Sequence, residues 1–325
     1  MTQTLPDWPL FGLTDDVRPA LREARAAGRP AALVTLHRVE GGGPRPVGTQ
    51  MLFADAQVSG FLSGGCVEGD VARHAAATLA DGAPRRLVYG EGGPWPDIRL
   101  LCGARIELLV ERVAPNDPAL AALLSLSDQR RPALWRTDGV IRSCAPAPAD
   151  APACVETGAP FGLARRHDPA PRLVVIGGDP TALAIASLGL QAGMETTLVR
   201  PKGPVTPPPL PGLAYRRDDP ASALRATGVD PWTAIAVATH DLDSDHAAAL
   251  AALPSPAGYV GLLGARRRLP ERLDRLRRDG LDETALARLR APIGLDLGGK
   301  APWEVAVAVI GEIIAARNLP ASLIP

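Results

Sequence analysis

The residues able to do chemistry gather in a few short stretches. FLSGGCVEGD, residues 61–70, breaks an apolar run at two glycines, presents Cys66, and carries Glu68 and Asp70 into a helix. Cys66 reads as a reagent, a metal ligand, or a small thiol filling a tight turn, since free cysteine is commonly buried. LLCGAR sets Cys102 before a strand, and GGGPRPVGTQM surrounds Arg45 and Gln50 with glycine and proline. Arg45 is then either a phosphate contact or an ordinary surface arginine. THDLDSDH collects His240, Asp241, Asp243, Asp245 and His246, which suits either a metal or the capping of a helix start. Arg266, Arg267 and Arg268 follow GLLGA, and Asp296 and Lys300 lie in GLDLGGK. The three arginines read as a solvated turn or as a phosphate site.

The elements that must position these groups follow from periodicity. Residues 15–27 read as a helix ending at Gly28, and AALVTLHRV as a strand. MLFADAQVSGFLS reads as a hairpin, CVEGDVARHAAATLADG as a helix stopped by Gly82, and RRLVYG and ARIELLVERV as strands around an EGGPWPD loop. PALWRTDGVIRS reads as a further hairpin with a DG turn. Residues 145–169, rich in Pro, Ala and Asp, read as an internal loop shading into a linker. From Arg172 strands alternate with helices, which implies βαβ units and a parallel sheet. The expected fold class is α/β: a mixed N-terminal domain over 1–168 and a Rossmann-like parallel-sheet domain over 169–325.

The glycine turn of that second domain departs from G-x-G-x-x-G/A. In RLVVIGGDPTALAIA, Gly177 takes the first position and Ala182 the third, with Gly178 between, but the second is Asp179. A side chain there obstructs the pyrophosphate, and a carboxylate repels it. Arg200 stands where ribose recognition wants an acid, an arrangement that accommodates a 2′-phosphate. NADP is therefore conceivable, against a domain that keeps the fold without the cofactor. His240 and Asp241, after a buried strand, face the crevice where such sheets bind ligands.

The chain has 325 residues, is 46% hydrophobic and 22% charged, and carries no net charge. That predicts two globular domains and offers no electrostatic case for nucleic acid. Lys202 and Lys300 are the only lysines, so any phosphate would be met by arginine or backbone N–H groups. The four cysteines, Cys66, Cys102, Cys144 and Cys154, form no CxxC and share no zinc spacing with histidine. No signal peptide or membrane span is read, so a reducing cytoplasm and free thiols are expected.

Taken together, GGGPRPVGTQM, SGFLSGGCVEGDV, CGARIELLVE, YVGLLGARRR and APIGLDLGGKAPWEVAVAVIGEI resemble the XdhC/CoxI family of accessory proteins for molybdenum hydroxylases. The resemblance covers most of the chain and is weakest over 114–169. It implies a protein that binds molybdenum cofactor, protects it, supports its sulfuration and delivers it to a xanthine dehydrogenase-type enzyme, with a cysteine desulfurase as second partner. A homodimer is compatible with this reading. For an anionic pterin cargo the implied contacts are Arg45, Gln50, Gly64, Gly65, Cys66, Glu68 and Cys102. Cys66, near the positive end of a helix, would carry more thiolate and serve as molybdenum ligand or sulfur relay. Two departures stand out: Gly42 and Gly43 replace hydroxyl residues before Pro44-Arg45, and Asp179 and Arg200 replace the intact nucleotide turn. The competing readings are an NADP-linked oxidoreductase and a sulfurtransferase carrying a persulfide on Cys66.

Overall fold

The computed structural model describes residues 5–43, 45–55, 57–91, 93, 100 and 102–319. Most of the loop expected over EGGPWPD lies outside these residues. The chain divides into two compact units, Met1–Pro169 and Ala170–Pro325.

The first unit runs α1 (Arg18–Ala26), β1 (Ala31–Glu40), β2 (Gln50–Ala54), β3 (Gln57–Gly60), α2 (Glu68–Asp81), β4 (Arg85–Tyr89), β5 (Arg105–Val113), α3 (Pro118–Asp128), β6 (Ala133–Thr137), β7 (Arg142–Pro146), β8 (Cys154–Thr157) and β9 (Gly162–His167). Its first sheet has the order β3-β2-β1-β5-β4 and is antiparallel throughout. Both faces of this sheet are covered, which explains why AALVTL is apolar without alternation. Ala32, Val34 and Leu36 pack under α2 with Val71 and Ala75. Ala31 and Leu33 face the other way, onto Leu21 of α1 and Leu120 and Leu123 of α3. Gly82 ends α2 in the left-handed region at φ +75°, its N–H bonded to Thr78 O.

Two features differ from the sequence expectation. The helix α3 is not among the elements expected above, although Asp117 caps it at Ala119 N, 2.8 Å away, and Pro118 opens it. Residues 145–169 are not loop throughout: the end of β7, β8 and β9 fall there, and with β6 they form a second antiparallel sheet of order β7-β6-β9-β8. Its edges, β7 and β8, are short, and Pro146 closes β7 where a lost N–H is tolerated. A buried carboxylate joins the two sheets. Glu111 of β5 accepts from Trp135 Nε1 at 3.2 Å, Thr137 Oγ1 at 2.7 Å and Arg142 Nε at 3.0 Å. Arg142 also reaches Asp117 at 2.8 Å, so the β6–β7 hairpin is tied to the cap of α3.

The second unit runs β10 (Arg172–Gly177), α4 (Pro180–Gln191), β11 (Glu195–Val199), β12 (Ala214–Arg216), α5 (Pro220–Thr227), β13 (Thr233–Ala238), α6 (Leu242–Ala252), β14 (Tyr259–Leu262), α7 (Leu269–Arg278), α8 (Glu283–Leu286), β15 (Leu289–Arg290) and α9 (Pro302–Asn318). All strands are parallel, in the order β12-β11-β10-β13-β14-β15. This is the doubly wound order of dinucleotide folds. Leu173, Val175, Ala234 and Ala236 pack against α4 and α9, while Val174, Ile176, Ile235 and Val237 pack against α5, α6 and α7. The Rossmann-like expectation for this half is met.

Candidate functional site

In the first unit the strand register gathers the candidate loops. Thr35 pairs with Gln50, Met51 with Gly60, Glu40 with Arg105 and Tyr89 with Ile106. Loop 41–49, the turn after β3, the approach to β5 and the chain leaving β4 therefore all depart from one end of the five-stranded sheet. Arg45, Cys66 and Cys102 all lie on these connections.

The turn that holds Cys66 is built around Glu68. The Glu68 carboxylate is buried. One oxygen accepts from Leu62 N at 3.1 Å and Ser63 N at 2.6 Å; the other accepts from Ser63 Oγ at 2.7 Å and Val67 N at 3.3 Å. Ser63 Oγ in turn accepts from Cys66 N at 3.1 Å. The acid's polar capacity is spent inside the turn. Gly64, Gly65 and Cys66 are left exposed, with Gly65 at φ +92°. One helical turn further on, buried Asp70 accepts from Tyr89 Oη at 2.6 Å and pairs with Arg73, pinning α2 to β4.

The other predicted contacts are placed as follows. Gln50 is buried in β2; its amide N–H donates to Thr35 Oγ1 at 3.0 Å, so it faces the interior. Arg45 pairs with Asp15. Cys102 is exposed, next to Gly103. Gly48, at φ +93°, is clamped: its N–H donates to Leu36 O at 2.7 Å and its carbonyl accepts from Arg165 Nε at 2.6 Å. Arg165 Nη1 sits 2.6 Å from His167 Nδ1. Burial drives the Arg165 guanidinium down to about 10 and holds His167 well below its ordinary value, so a neutral imidazole accepts a hydrogen bond from the guanidinium. Burial also pushes the thiols of Cys144 and Cys154 up to about 11.

The crevice of the second unit is lined by side chains that bond to its own helix ends and to one another. A cavity of about 730 Å³ is lined by Gly177, Gly178, Asp179, Arg200, Lys202 and Asp241, among others. Asp179 caps α4 by accepting from Ala182 N at 2.8 Å, the position a pyrophosphate would use. Its second oxygen meets His240 Nε2 at 2.9 Å, with His240 at φ +59°. The stem of Arg200 lies over Gly178, where a Cβ would come within 2.3 Å of it. Asp241 caps α6 through Ser244 N at 2.7 Å, and Asp245 is buried against Thr239 and Arg272. Among the described residues no group of three His, Cys, Asp or Glu could hold a metal. The two Gly-rich stretches after β14 and β15 meet through Arg266 and Asp296 at 3.1 Å. Glu312 of α9 fixes the second of them by accepting from Gly294 N at 2.7 Å.

Residues 24–90 match the family profile described as XdhC and CoxI family, and residues 173–313 the one described as XdhC Rossmann domain. The molybdenum cofactor insertion chaperone PaoD of Escherichia coli (strain K12) is 32% identical over 310 residues, 94% of this chain and 90% of that protein. The chain belongs to the XdhC/CoxI family. A probable xanthine dehydrogenase component of Bacillus subtilis (strain 168) is 26% identical over 323 residues, covering 89% of this chain and 93% of its own. The crystal structure of a xanthine dehydrogenase from Bacillus halodurans shares the fold. It matches at a TM-score of 0.72 and 21% identity, over 95% of this chain and 98% of that one.

For this XdhC/CoxI chain, Ser63 and Arg165 are the site residues that sequence reasoning passed over. Ser63 had a signal, a hydroxyl five residues before an acid at a helix start. Arg165 had none, because it meets Gly48 across 117 residues of chain.

Proposed function

We propose that this chain is an accessory chaperone that binds molybdenum cofactor at the loop end of the five-stranded sheet and inserts it into a xanthine dehydrogenase-type hydroxylase. One observation carries the reading: Cys66 stands exposed on a turn whose acid is turned inward, beside the exposed backbone of Gly64 and Gly65. A soft sulfur beside unshielded N–H groups suits a thiophilic metal with anionic oxygen ligands. The likeness to a cofactor insertion chaperone along nearly the whole chain supports the same reading. In it, Cys66 is the metal ligand or the relay through which a cysteine desulfurase supplies the sulfido group. Arg45 is offered to the cofactor's phosphate by release of Asp15, a surface pair of the kind worth about 0–1 kcal/mol.

The test is retention of cofactor. Protein made with ample cofactor supply should yield oxidised pterin fluorescence and should activate an apo-hydroxylase. Cys66→Ser should lower the pterin yield at least several-fold, and mass spectrometry after desulfurase and cysteine should find added sulfur on Cys66. Absence of pterin in the wild type sinks the proposal. An NADP-linked oxidoreductase is disfavoured by Asp179, whose carboxylate already fills the helix end that a pyrophosphate needs.

A further inference from the structure

We infer that the cleft over the ends of β1 and β5 is a seat for a fused 2-amino-4-oxopyrimidine ring, with Glu107 and Glu40 as acceptors for its donor edge. The inference rests on the chaperone reading and gives the cargo's pterin a place within the same sheet end. The cleft encloses about 530 Å³ and is lined by Arg38, Glu40, Gly41, Gly103, Arg105 and Glu107, among others. That volume is within the range that holds small ligands.

Strand geometry explains why these side chains converge. Arg38 pairs with Glu107 and Glu40 with Arg105 across the β1–β5 ladder. Successive residues of a strand point to opposite faces. Val39 and Ile106, between them, pack into the core beneath α2, so the four charged groups stand on the other face. Two motif loops form the rim. Gly41 opens the glycine loop at φ +79°, and a Cβ there would lie 3.6 Å from Gly103 O, beside Cys102. The seat therefore adjoins one of the two exposed cysteines.

The charge pattern selects the ligand. Two guanidinium groups face two carboxylates, which suits a neutral heterocycle with adjacent donors and acceptors rather than a bare phosphate. Arg105 is held in place by donating to Glu91 O at 2.8 Å and to one oxygen of Glu107 at 3.1 Å. The other Glu107 oxygen has Arg86 only at 3.9 Å, beyond hydrogen-bonding reach. Glu40 is half exposed and meets Arg38 at 3.0 Å. A pterin offers its 2-amino group and ring N–H side by side, a bidentate match for a carboxylate. Its carbonyl and ring nitrogen accept from arginine. Guanine carries the same edge, so the test includes both.

The full chain is titrated with free pterin, followed by its fluorescence, and with guanosine in parallel. Saturable pterin binding is expected, and guanosine reads how far the shared edge alone carries it. Glu107→Gln, which presents an amide N–H to the ligand's own donors, should weaken pterin at least ten-fold with an unchanged circular dichroism spectrum. Should that variant fail to fold, Glu40→Gln on the open side should weaken pterin at least three-fold. Absence of pterin binding, or folded variants that bind pterin like the wild type, would each overturn the seat, whereas guanosine binding that falls in parallel with pterin in the variants supports recognition through the shared edge. Whole-cofactor retention separates the two readings: retention in wild type that survives Glu107→Gln removes the seat and leaves the chaperone, whereas no retention in wild type removes the chaperone.

Discussion

Glu68 shows how one carboxylate can hold a turn together from inside. Its oxygens collect three backbone N–H groups and the Ser63 hydroxyl in a buried setting. Removing it leaves several buried donors without a partner, each costing about 1–3 kcal/mol. Glu68→Ala should lower stability by about 2–4 kcal/mol on those grounds, and should scramble the loop that presents Cys66. Denaturant unfolding measures the first effect, and the rate of thiol alkylation at Cys66 the second. An unchanged midpoint together with an unchanged alkylation rate would show that the turn does not depend on the acid. The sequence named Glu68 as a helix first-turn acid or a polar contact; which of the two depends on side-chain direction, and one-dimensional spacing carries no such information.

At the level of elements, the joint between the two sheets of the first unit hangs on Glu111. Burial raises its carboxyl above the ordinary range, while Arg142 opposes the shift. Deleting Glu111 leaves Arg142 with Asp117 alone and the buried Trp135 Nε1 and Thr137 Oγ1 without their acceptor, at about 1–3 kcal/mol for each such donor. Glu111→Ala should unfold the β6–β7 hairpin first, and hydrogen exchange at Trp135 and Thr137 reads that directly. Protection there equal to wild type would place the joint elsewhere. This hairpin also marks where the sequence stopped being legible. The parallel unit was readable because its strands are uniform apolar runs between helices of regular period. The stretch 145–169 was not: its edge strands, the end of β7 and β8, are short and carry small and proline residues, and β9 is a strand because it pairs with β6 and β8, not because its residues favour it. The loop end of the first sheet was half legible. Its motifs could be quoted, but their meeting at one end depends on strand register, and the clamp of Arg165 on Gly48 depends on a contact between distant segments.

For the whole molecule, acidity is the informative variable. Of the five histidines, His37, His74 and His167 lie in the first unit, and burial holds each below its ordinary value of 6.5. Glu156 and Glu107 oppose the shift at His37 without reversing it. Below 6.5 the unfolded chain takes up protons that the folded chain refuses, so stability falls as pH drops through that value. One pH unit below it, each imidazole that stays neutral costs up to about 1.4 kcal/mol. Melting temperature should therefore decline from pH 7.5 to about 5.5. His167→Gln, which keeps an acceptor for Arg165, should flatten the slope; a wild-type melting point that ignores pH in this window would refute the linkage. The scarcity of lysine has a different consequence. Lys202 lies on the crevice wall after β11, and Lys300 stands just before α9, its N–H donating to Glu304 at 2.9 Å. Apart from the terminal amine, these two side chains are the only primary amines of the sequence. Shielding of either amine upon mixing with a molybdenum hydroxylase would report contact at the crevice wall or at the start of α9, an address label supplied by composition.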